Sequence, residues 1–210
     1  MKNNIITFRE AIRSALFEQM LKDKRTILIG EDIGLYGGAF GVTRGLIDKF
    51  EDQIIETPIS ENSFVGVALG AAIGGYKPIV EIMFSDFVTL AMDQIINHAA
   101  KIRYIYAGQL NAPLIIRLPT GGGRGYGASH SQSLEAWFAH IPGLVVLYPS
   151  TPEDAKGLML SAMQEKSPVI YFENKLLYDI KGSVNTNSNN IPIGSAKVLK
   201  NGEDVSLISY

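Results

Sequence analysis

Two loops carry carboxylates that could take part in acid–base chemistry. Glu31 and Asp32 lie together in a glycine-rich segment after a short apolar run, and they fit either a solvated turn or the wall of a pocket. Glu61 follows Thr-Pro-Ile-Ser and precedes an apolar run of small residues, 64–75. In a purely structural interpretation, Ser60 could cap a helix there and Glu61 could supply its first-turn charge. The composition of that helix predicts that it is buried, so Glu61 would be a buried carboxylate that requires a partner or a ligand donor.

A long glycine-rich loop holds the histidine best placed for proton transfer. Residues 119–133 contain five glycines and follow an apolar run. Loops of this length inside a compact domain are usually functional. His130, between Ser129 and Ser131, is the candidate proton donor or acceptor. The loop lacks the Gly-Lys-Ser/Thr ending of a phosphate-binding loop.

Two aromatic residues follow another apolar run. Phe84 and Phe87 lie where a strand would end and a helix would begin. Both fit a hydrophobic core, which is the usual place for an aromatic side chain. One of them could instead stack on a flat heterocycle at the end of the strand.

Apolar patterns predict the elements that would position these side chains. Residues 8–21 have helical spacing, and Thr7 with Glu10 forms a capping-box pattern before them. Apolar runs predict strands at 26–29, 78–83, 114–118, 144–147 and 168–172. Between them, helical patterns predict helices at 62–74, 86–107 and 152–164. This alternation predicts an α/β fold with a doubly wound, mostly parallel sheet and helices on both faces. Ligands bind such sheets beyond the carboxyl ends of the strands.

The sequence predicts three parts: a main domain (1–181), a linker (182–193) and the start of a second α/β domain (194–210). The linker is rich in Asn and Ser and has no periodicity. Two further strands, 196–199 and 205–209, are predicted around an Asn-Gly turn. The last of these patterns is cut in mid-strand, which indicates a piece of a longer protein.

Composition excludes several classes of protein. Among 210 residues, 46% are apolar and none is Cys, which excludes a disulfide scaffold and any thiolate site. A formal net charge of −2 argues against nucleic-acid binding as the main function. The longest apolar run is too short and too rich in Gly to span a membrane, and the N-terminal residues do not form a secretory signal. We therefore expect a cytoplasmic location.

The chain resembles the β subunits of the thiamine-diphosphate-dependent, decarboxylating component of 2-oxo-acid dehydrogenase complexes. The resemblance runs from Thr7 to Tyr178 in consistent order, through the blocks GEDIG, TPISE, EIMFSDF, HSQSLEAWFAH and SPVIYFENKLLY. It implies a transketolase-like pyrimidine-binding fold for the main domain. Pyruvate dehydrogenase is the first choice within this group, which also includes acetoin dehydrogenase and the branched-chain 2-oxo-acid enzymes.

The resemblance also implies roles for particular residues. The family glutamate that binds the ring nitrogen of the cofactor's pyrimidine corresponds to Glu61, the stacking aromatic to Phe87, and the active-site histidine to His130. We add Glu31 as a further cofactor contact because of the position of its loop. A family potassium site made mostly of backbone carbonyls would lie at Leu114, Ala162, Met163, Glu165 and Ser167.

An absent motif implies a partner. The family binds the diphosphate and Mg²⁺ through a Gly-Asp-Gly segment, and this sequence contains none. The resemblance therefore implies an α subunit that holds Mg²⁺, in a heterotetramer of two α and two β subunits (α₂β₂). The acyl product would pass to the lipoyl groups of an acyltransferase core.

Two other classes of function stay open. The chain could come from another transketolase-type thiamine enzyme, such as a deoxyxylulose-phosphate synthase, whose complete sequence would carry its own Gly-Asp-Gly. It could also be a non-catalytic binding module that keeps the fold. The presence of Glu61, Phe87 and His130 at family positions argues against the second alternative.

Overall fold

Short apolar runs separated by helical patterns form the elements of the computed structural model, which describes residues 3–185 and 190–210. The strands within these ranges are β1 (Asn3–Thr7), β2 (Thr26–Gly30), β3 (Ile54–Glu56), β4 (Lys77–Glu81), β5 (Ile115–Thr120), β6 (Val145–Leu147), β7 (Val169–Asn174) and β8 (Lys181–Asn185). The α-helices are α1 (Phe8–Lys22), α2 (Ile47–Phe50), α3 (Glu61–Ile73), α4 (Ile102–Ile105), α5 (Glu135–Ala139) and α6 (Pro152–Ala162).

The predicted doubly wound sheet is confirmed. Strands β2 to β7 form one parallel sheet in the order β3-β2-β4-β5-β7-β6. Successive side chains of a strand point to opposite faces, so Leu28 packs in a core with α1 and α6, whereas Ile27 and Ile29 pack in a second core with α3. Because both faces are covered, the strands appear in the sequence as continuous apolar runs.

The predicted start of α1 is also confirmed. The Thr7 amide donates to Glu10 Oε2 over 2.7 Å, and the Glu10 amide donates to Thr7 Oγ1 over 3.3 Å. This reciprocal capping box satisfies two amides that the helix leaves without partners. The buried side of α1 then packs against α6.

A small second sheet joins the two ends of the main domain. Strand β1 pairs antiparallel with β8, from Asn3 opposite Asn185 to Thr7 opposite Lys181. Residues 182–185 of the predicted linker are therefore strand and not linker. Sequence reasoning missed both strands because they are short and polar and their partners are far apart along the chain. Residues 186–189 of the predicted linker lie outside the described residues.

The helix predicted over 86–107 is wrong as a single helix. The chain forms a 3-10 helix at Ser85–Ala91, a π-helix at Gln94–Ala99 and then α4. Buried side chains still recur every three or four residues, at Val88, Ala91, Ile95, Ala99 and Ile102. The apolar face is thus kept while the hydrogen-bond pattern changes along it.

The two strands predicted at 196–199 and 205–209 are not present. Residues 190–210 are all described and contain no strand, and Val198, Leu199 and Leu207 are exposed. An isolated two-stranded hairpin has marginal stability in water, and no sheet edge receives these residues.

The prediction that α3 is buried is confirmed for one side of the helix only. Glu61, Phe64, Val65 and Ala68 are buried, but Val67 is 63% exposed on the other side of the helix. Small residues allow α3 to lie close to the sheet on one side only, and its other side faces solvent. None of the helices in the described ranges is long and apolar enough to cross a membrane.

Candidate active site

Three neighbouring strands bring the predicted site loops to one edge of the sheet. Gly30 at the end of β2 pairs with Glu81 at the end of β4, and Glu81 pairs with Arg117 of β5. Since the strands are parallel, the loops that follow them leave the same edge. These loops carry Glu31, Phe87 and His130, as the sequence predicts.

Glu31 and Glu61 form a buried acidic pair. Glu31 is only 4% exposed and Glu61 only 5% exposed. Among the described residues, Glu31 Oε1 is buried without a hydrogen-bond partner. Burial, followed by the charges of Glu61 and Asp32, raises the pKa of Glu31 to about 7. Across the described ranges, neither Glu31 nor Glu61 lies within 4.0 Å of a Lys, Arg or His nitrogen.

Local backbone geometry places both carboxylates. A Cβ atom on Gly30 would lie 2.6 Å from the carbonyl oxygen of Glu81, so only glycine fits where β2 ends. Asp32 then turns the chain with a φ of 52°, which is uncommon for a residue with a side chain. These two features direct Glu31 toward the first turn of α3, which begins at Glu61.

Ser60 does not cap α3 with its side chain. Its hydroxyl donates to Ser63 Oγ over 2.8 Å, and the helix start has no side-chain cap. The prediction of a serine cap is therefore wrong, because the hydroxyl bonds to another side chain. The charge of Glu61 in the first turn still fits the helix dipole.

Phe87 and His130 form a second group. The imidazole ring of His130 lies edge-on to Phe87 at 5.1 Å and to Phe84 at 4.8 Å between ring centroids. Ser129 Oγ lies 3.0 Å from His130 Nδ1. The 3-10 helix that carries Phe87 packs against α3, which carries Glu61. The structure therefore brings the predicted site residues together as two groups on touching elements.

A buried ionic network lies behind the site, and sequence reasoning missed it. The Arg117 guanidinium donates to Glu81 over 2.5 Å and to both oxygens of Glu173 over 2.7 and 2.9 Å. The Tyr178 hydroxyl donates to Glu173 over 2.7 Å. A Cβ atom on Gly38 would lie 2.5 Å from Glu81 Oε1, so the Glu31 loop rests directly on this network. An arginine in the middle of the apolar run LIIRL is the signal that could have found it.

The predicted potassium ligands lie elsewhere. Ala162, Met163 and Glu165 line a small cavity beside Lys77, near the start of β4. The Leu114 carbonyl already accepts the Val169 amide over 2.8 Å, and the Ala162 carbonyl accepts the Glu165 amide over 3.1 Å. In the described part of the chain no three His, Asp or Glu side chains cluster as metal ligands. A potassium site at Leu114, Ala162, Met163, Glu165 and Ser167 stays a prediction.

A known protein family matches most of the chain. The family described as transketolase, pyrimidine binding domain matches residues 4–181. A solved structure titled "Split gene transketolase, inactive beta4 tetramer" superimposes with a TM-score of 0.74 at 23% identity, covering 95% of this chain and 60% of that chain. At that identity the likeness supports the fold alone.

Curated relatives extend the resemblance. The chain is 45% identical to the pyruvate dehydrogenase E1 component subunit beta-2, mitochondrial, of Oryza sativa over 98% of its own length and 56% of the relative. It is 42% identical to the acetoin:2,6-dichlorophenolindophenol oxidoreductase subunit beta of Cupriavidus necator, with 98% and 64% covered. It is 43% identical to the 2-oxoisovalerate dehydrogenase subunit beta of Bacillus subtilis, with 99% and 64% covered. The chain thus spans between 56% and 64% of the length of these three relatives.

Proposed function

This chain belongs to the family of transketolase pyrimidine-binding domains, and we propose that it supplies the aminopyrimidine half of a thiamine diphosphate site. The complete protein would be the β subunit of a 2-oxo-acid dehydrogenase, with pyruvate as the first-choice substrate. The three relatives described above, all β subunits, support this proposal.

The buried acidic pair is the observation that carries the proposal. A buried carboxylate without a cation or a full set of hydrogen bonds is costly, so a ligand that supplies the missing donor would be bound favourably there. Among the described residues, Glu31 Oε1 has no hydrogen-bond partner, and Glu61, whose charge raises the pKa of Glu31, has equally little exposure. An aminopyrimidine has an exocyclic amino group that donates and a ring nitrogen that accepts from a protonated carboxyl group, so it fits two carboxyl groups that hold one proton between them.

The residues of this chain would bind and orient that ring. Glu61 would share a proton with the ring nitrogen, Glu31 would accept a hydrogen bond, and Phe87 would offer a flat apolar surface. When bound, thiamine diphosphate supplies the nucleophilic carbon of its thiazolium ring. His130 would move a proton at the substrate end, and help of this type contributes ~10²–10⁴-fold to a rate.

The other half of the site would come from a second subunit. The sequence has no Gly-Asp-Gly, and the described residues contain no carboxylate cluster for Mg²⁺. We therefore assign the diphosphate and Mg²⁺ to an α subunit in an α₂β₂ assembly. An acyltransferase core with lipoyl groups would receive the acyl product in the cytoplasm.

Acetoin and branched-chain 2-oxo acids are the second candidate substrates. The relatives named for these activities are 42% and 43% identical, close to the 45% of the pyruvate dehydrogenase subunit. All three substrates are therefore compared in the experiment that follows.

A substrate comparison tests the proposal. The complete β subunit is assembled with its α subunit, thiamine diphosphate and Mg²⁺, and kcat/KM is measured with pyruvate, 2-oxoisovalerate and acetoin. We expect the highest value with pyruvate. A higher value with either alternative would change the substrate assignment, and an assembly that binds the cofactor but turns over none of the three would overturn the proposed function.

A further inference from the structure

Lys175 is a fully buried lysine that the proposed function does not use. It follows β7 directly and is 0% exposed. Its ammonium donates to the backbone carbonyl of His130 over 2.5 Å. Within residues 3–185 and 190–210 it has no carboxylate at ion-pair distance. Burial of a cation without such a pair is costly, so the contacts that Lys175 does make are informative.

Two of those contacts are aromatic rings, one of which packs against His130. The Lys175 ammonium lies 4.9 Å from the centroid of Phe84 and 5.8 Å from that of Tyr126. Both distances are within the range of a cation–π interaction. Phe84 in turn packs against the imidazole of His130 at 4.8 Å. Lys175 therefore contacts the backbone of His130 and also a ring that packs against its side chain.

The backbone of Lys175 holds the rest of the glycine-rich loop. Its amide donates to the Thr120 carbonyl over 3.0 Å, at the start of the loop. Its carbonyl accepts from Arg124 Nε and Nη2 over 3.0 and 2.7 Å, in the middle of the loop. With the bond to His130, one residue outside the loop holds its beginning, middle and end.

The loop has little conformational preference of its own. Gly121, Gly123, Gly125 and Gly127 all have positive φ values, between 74° and 90°. Glycine has more conformational freedom in the unfolded chain than any other residue. An ordered conformation of this loop therefore requires contacts with residues outside it. Lys175 supplies these contacts from a strand end that is fixed in the sheet.

Two charged groups, Asp86 and Arg124, act on the Lys175 ammonium. Burial lowers the pKa of Lys175, the negative charge of Asp86 opposes that shift, and Arg124 adds to it. Asp86 is itself buried and accepts hydrogen bonds from the amide and the side chain of Gln132, the second residue after His130. Lys175 and Asp86 thus hold neighbouring points of the same loop.

We propose that Lys175 is a positioning residue for His130, which it holds through the His130 carbonyl and the Phe84 ring. The inference rests on the proposed function, since it assumes that His130 acts on the substrate. Lys175 itself would touch neither substrate nor cofactor. A misplacement of about 1 Å can cost on the order of 10²-fold in rate, so the contact has a measurable consequence.

The test uses the complete β subunit assembled with its α subunit. Lys175→Met keeps the volume of the side chain and removes the ammonium, and Lys175→Arg keeps a cationic donor. Lys101→Met is the matched control, because the Lys101 ammonium also donates to a backbone carbonyl, that of Pro142, over 3.0 Å at the surface. For each variant kcat, KM and amide hydrogen exchange over residues 121–133 are measured.

We expect Lys175→Met to lower kcat on the order of 10²-fold with little change in KM. Exchange in the loop should become faster, Lys175→Arg should restore part of kcat, and Lys101→Met should resemble the wild type. The double variant Lys175→Met/His130→Ala should be no slower than His130→Ala alone, because a positioning residue has no effect once its target is removed.

Two results would overturn the inference. Unchanged exchange in the loop of Lys175→Met would show that the Lys175 ammonium does not hold it, since the variant keeps the backbone contacts. Costs that add in the double variant would show a merely structural role. A third result concerns the proposed function itself. Wild-type activity of His130→Ala would show that His130 does not act on the substrate, and both the proposed role of His130 and the inference about Lys175 would then fail. Low activity of His130→Ala together with either of the first two results would count against Lys175 alone.

Discussion

Two pairs of buried glutamates lie at the same edge of the sheet and differ in their partners. Glu81 and Glu173 share the Arg117 guanidinium, and Glu173 also accepts from Tyr178. Glu31 and Glu61 are as deeply buried, but Glu31 keeps an oxygen without a partner. In the described part of the chain, Glu81 and Glu173 thus find their partners within the protein, whereas Glu31 keeps one buried acceptor that a ligand could use.

This difference separates a structural group from a functional one. A charged group can be buried without a large loss of stability when it is paired and hydrogen-bonded. The charges of Glu173 and Glu81 overcome the effect of burial and raise the pKa of Arg117 above its ordinary value. Burial also raises the pKa of Glu81, but the charge of Arg117 opposes that shift, whereas for Glu31 the charges of Glu61 and Asp32 add to the effect of burial and raise the pKa further. We therefore expect the paired group to govern stability and the unpaired group to govern function.

The largest expected effect is on catalysis. In the assembled complex, Glu61→Gln should slow exchange of the cofactor's thiazolium C2 proton in deuterium oxide by ~10²–10⁴-fold, because Gln cannot share a proton with the ring nitrogen. Thermal unfolding should change little. Glu153→Gln is the matched control, since Glu153 also lies in the first turn of a helix but is exposed. Wild-type exchange in a Glu61→Gln complex that binds cofactor would show that Glu61 is structural.

The next effect is on stability. Arg117→Met should lower the free energy of unfolding by about 3–5 kcal/mol, because it leaves Glu81 and Glu173 buried without their cation. Urea denaturation of this chain measures the change. Arg25→Met removes an exposed ion pair with Asp23 and should cost about 0–1 kcal/mol. Equal costs for the two substitutions would contradict a structural role for the buried network.

The smallest effect is a dependence of stability on pH. The pKa of Glu31 is about 7 in the fold against an ordinary value of 4.5, so the folded chain keeps a proton that the unfolded chain has lost. Its contribution to stability is complete below pH 4.5 and is lost as the pH rises to about 7. Glu31→Gln should flatten this part of the profile in denaturation at several pH values, while Glu153→Gln keeps it. The same slope in both variants would show that Glu31 ionises normally.

Much of the fold could be predicted from sequence because its signals are local. The capping box at Thr7 and Glu10 and the apolar runs of the parallel strands need only neighbouring residues to be recognised. Strands β1 and β8 could not be predicted in the same way, because each is short and polar and pairs with the opposite end of the domain. The apolar pattern over 86–107 indicated which side is buried, but it did not indicate the changes of helix type.

For the site, the sequence by itself determined which residues could do chemistry: a carboxylate before an apolar helix, an aromatic after a strand and a histidine in a glycine-rich loop. Only the tertiary structure decided their partners. The fold brings the charge of Glu61 near Glu31 and pairs Arg117 with Glu81 and Glu173. It also places the Lys175 ammonium within hydrogen-bond distance of the His130 carbonyl. The physical reason is that burial and pairing depend on contacts between residues far apart along the chain, such as Arg117 with Glu173, and residue type alone contains no information about them.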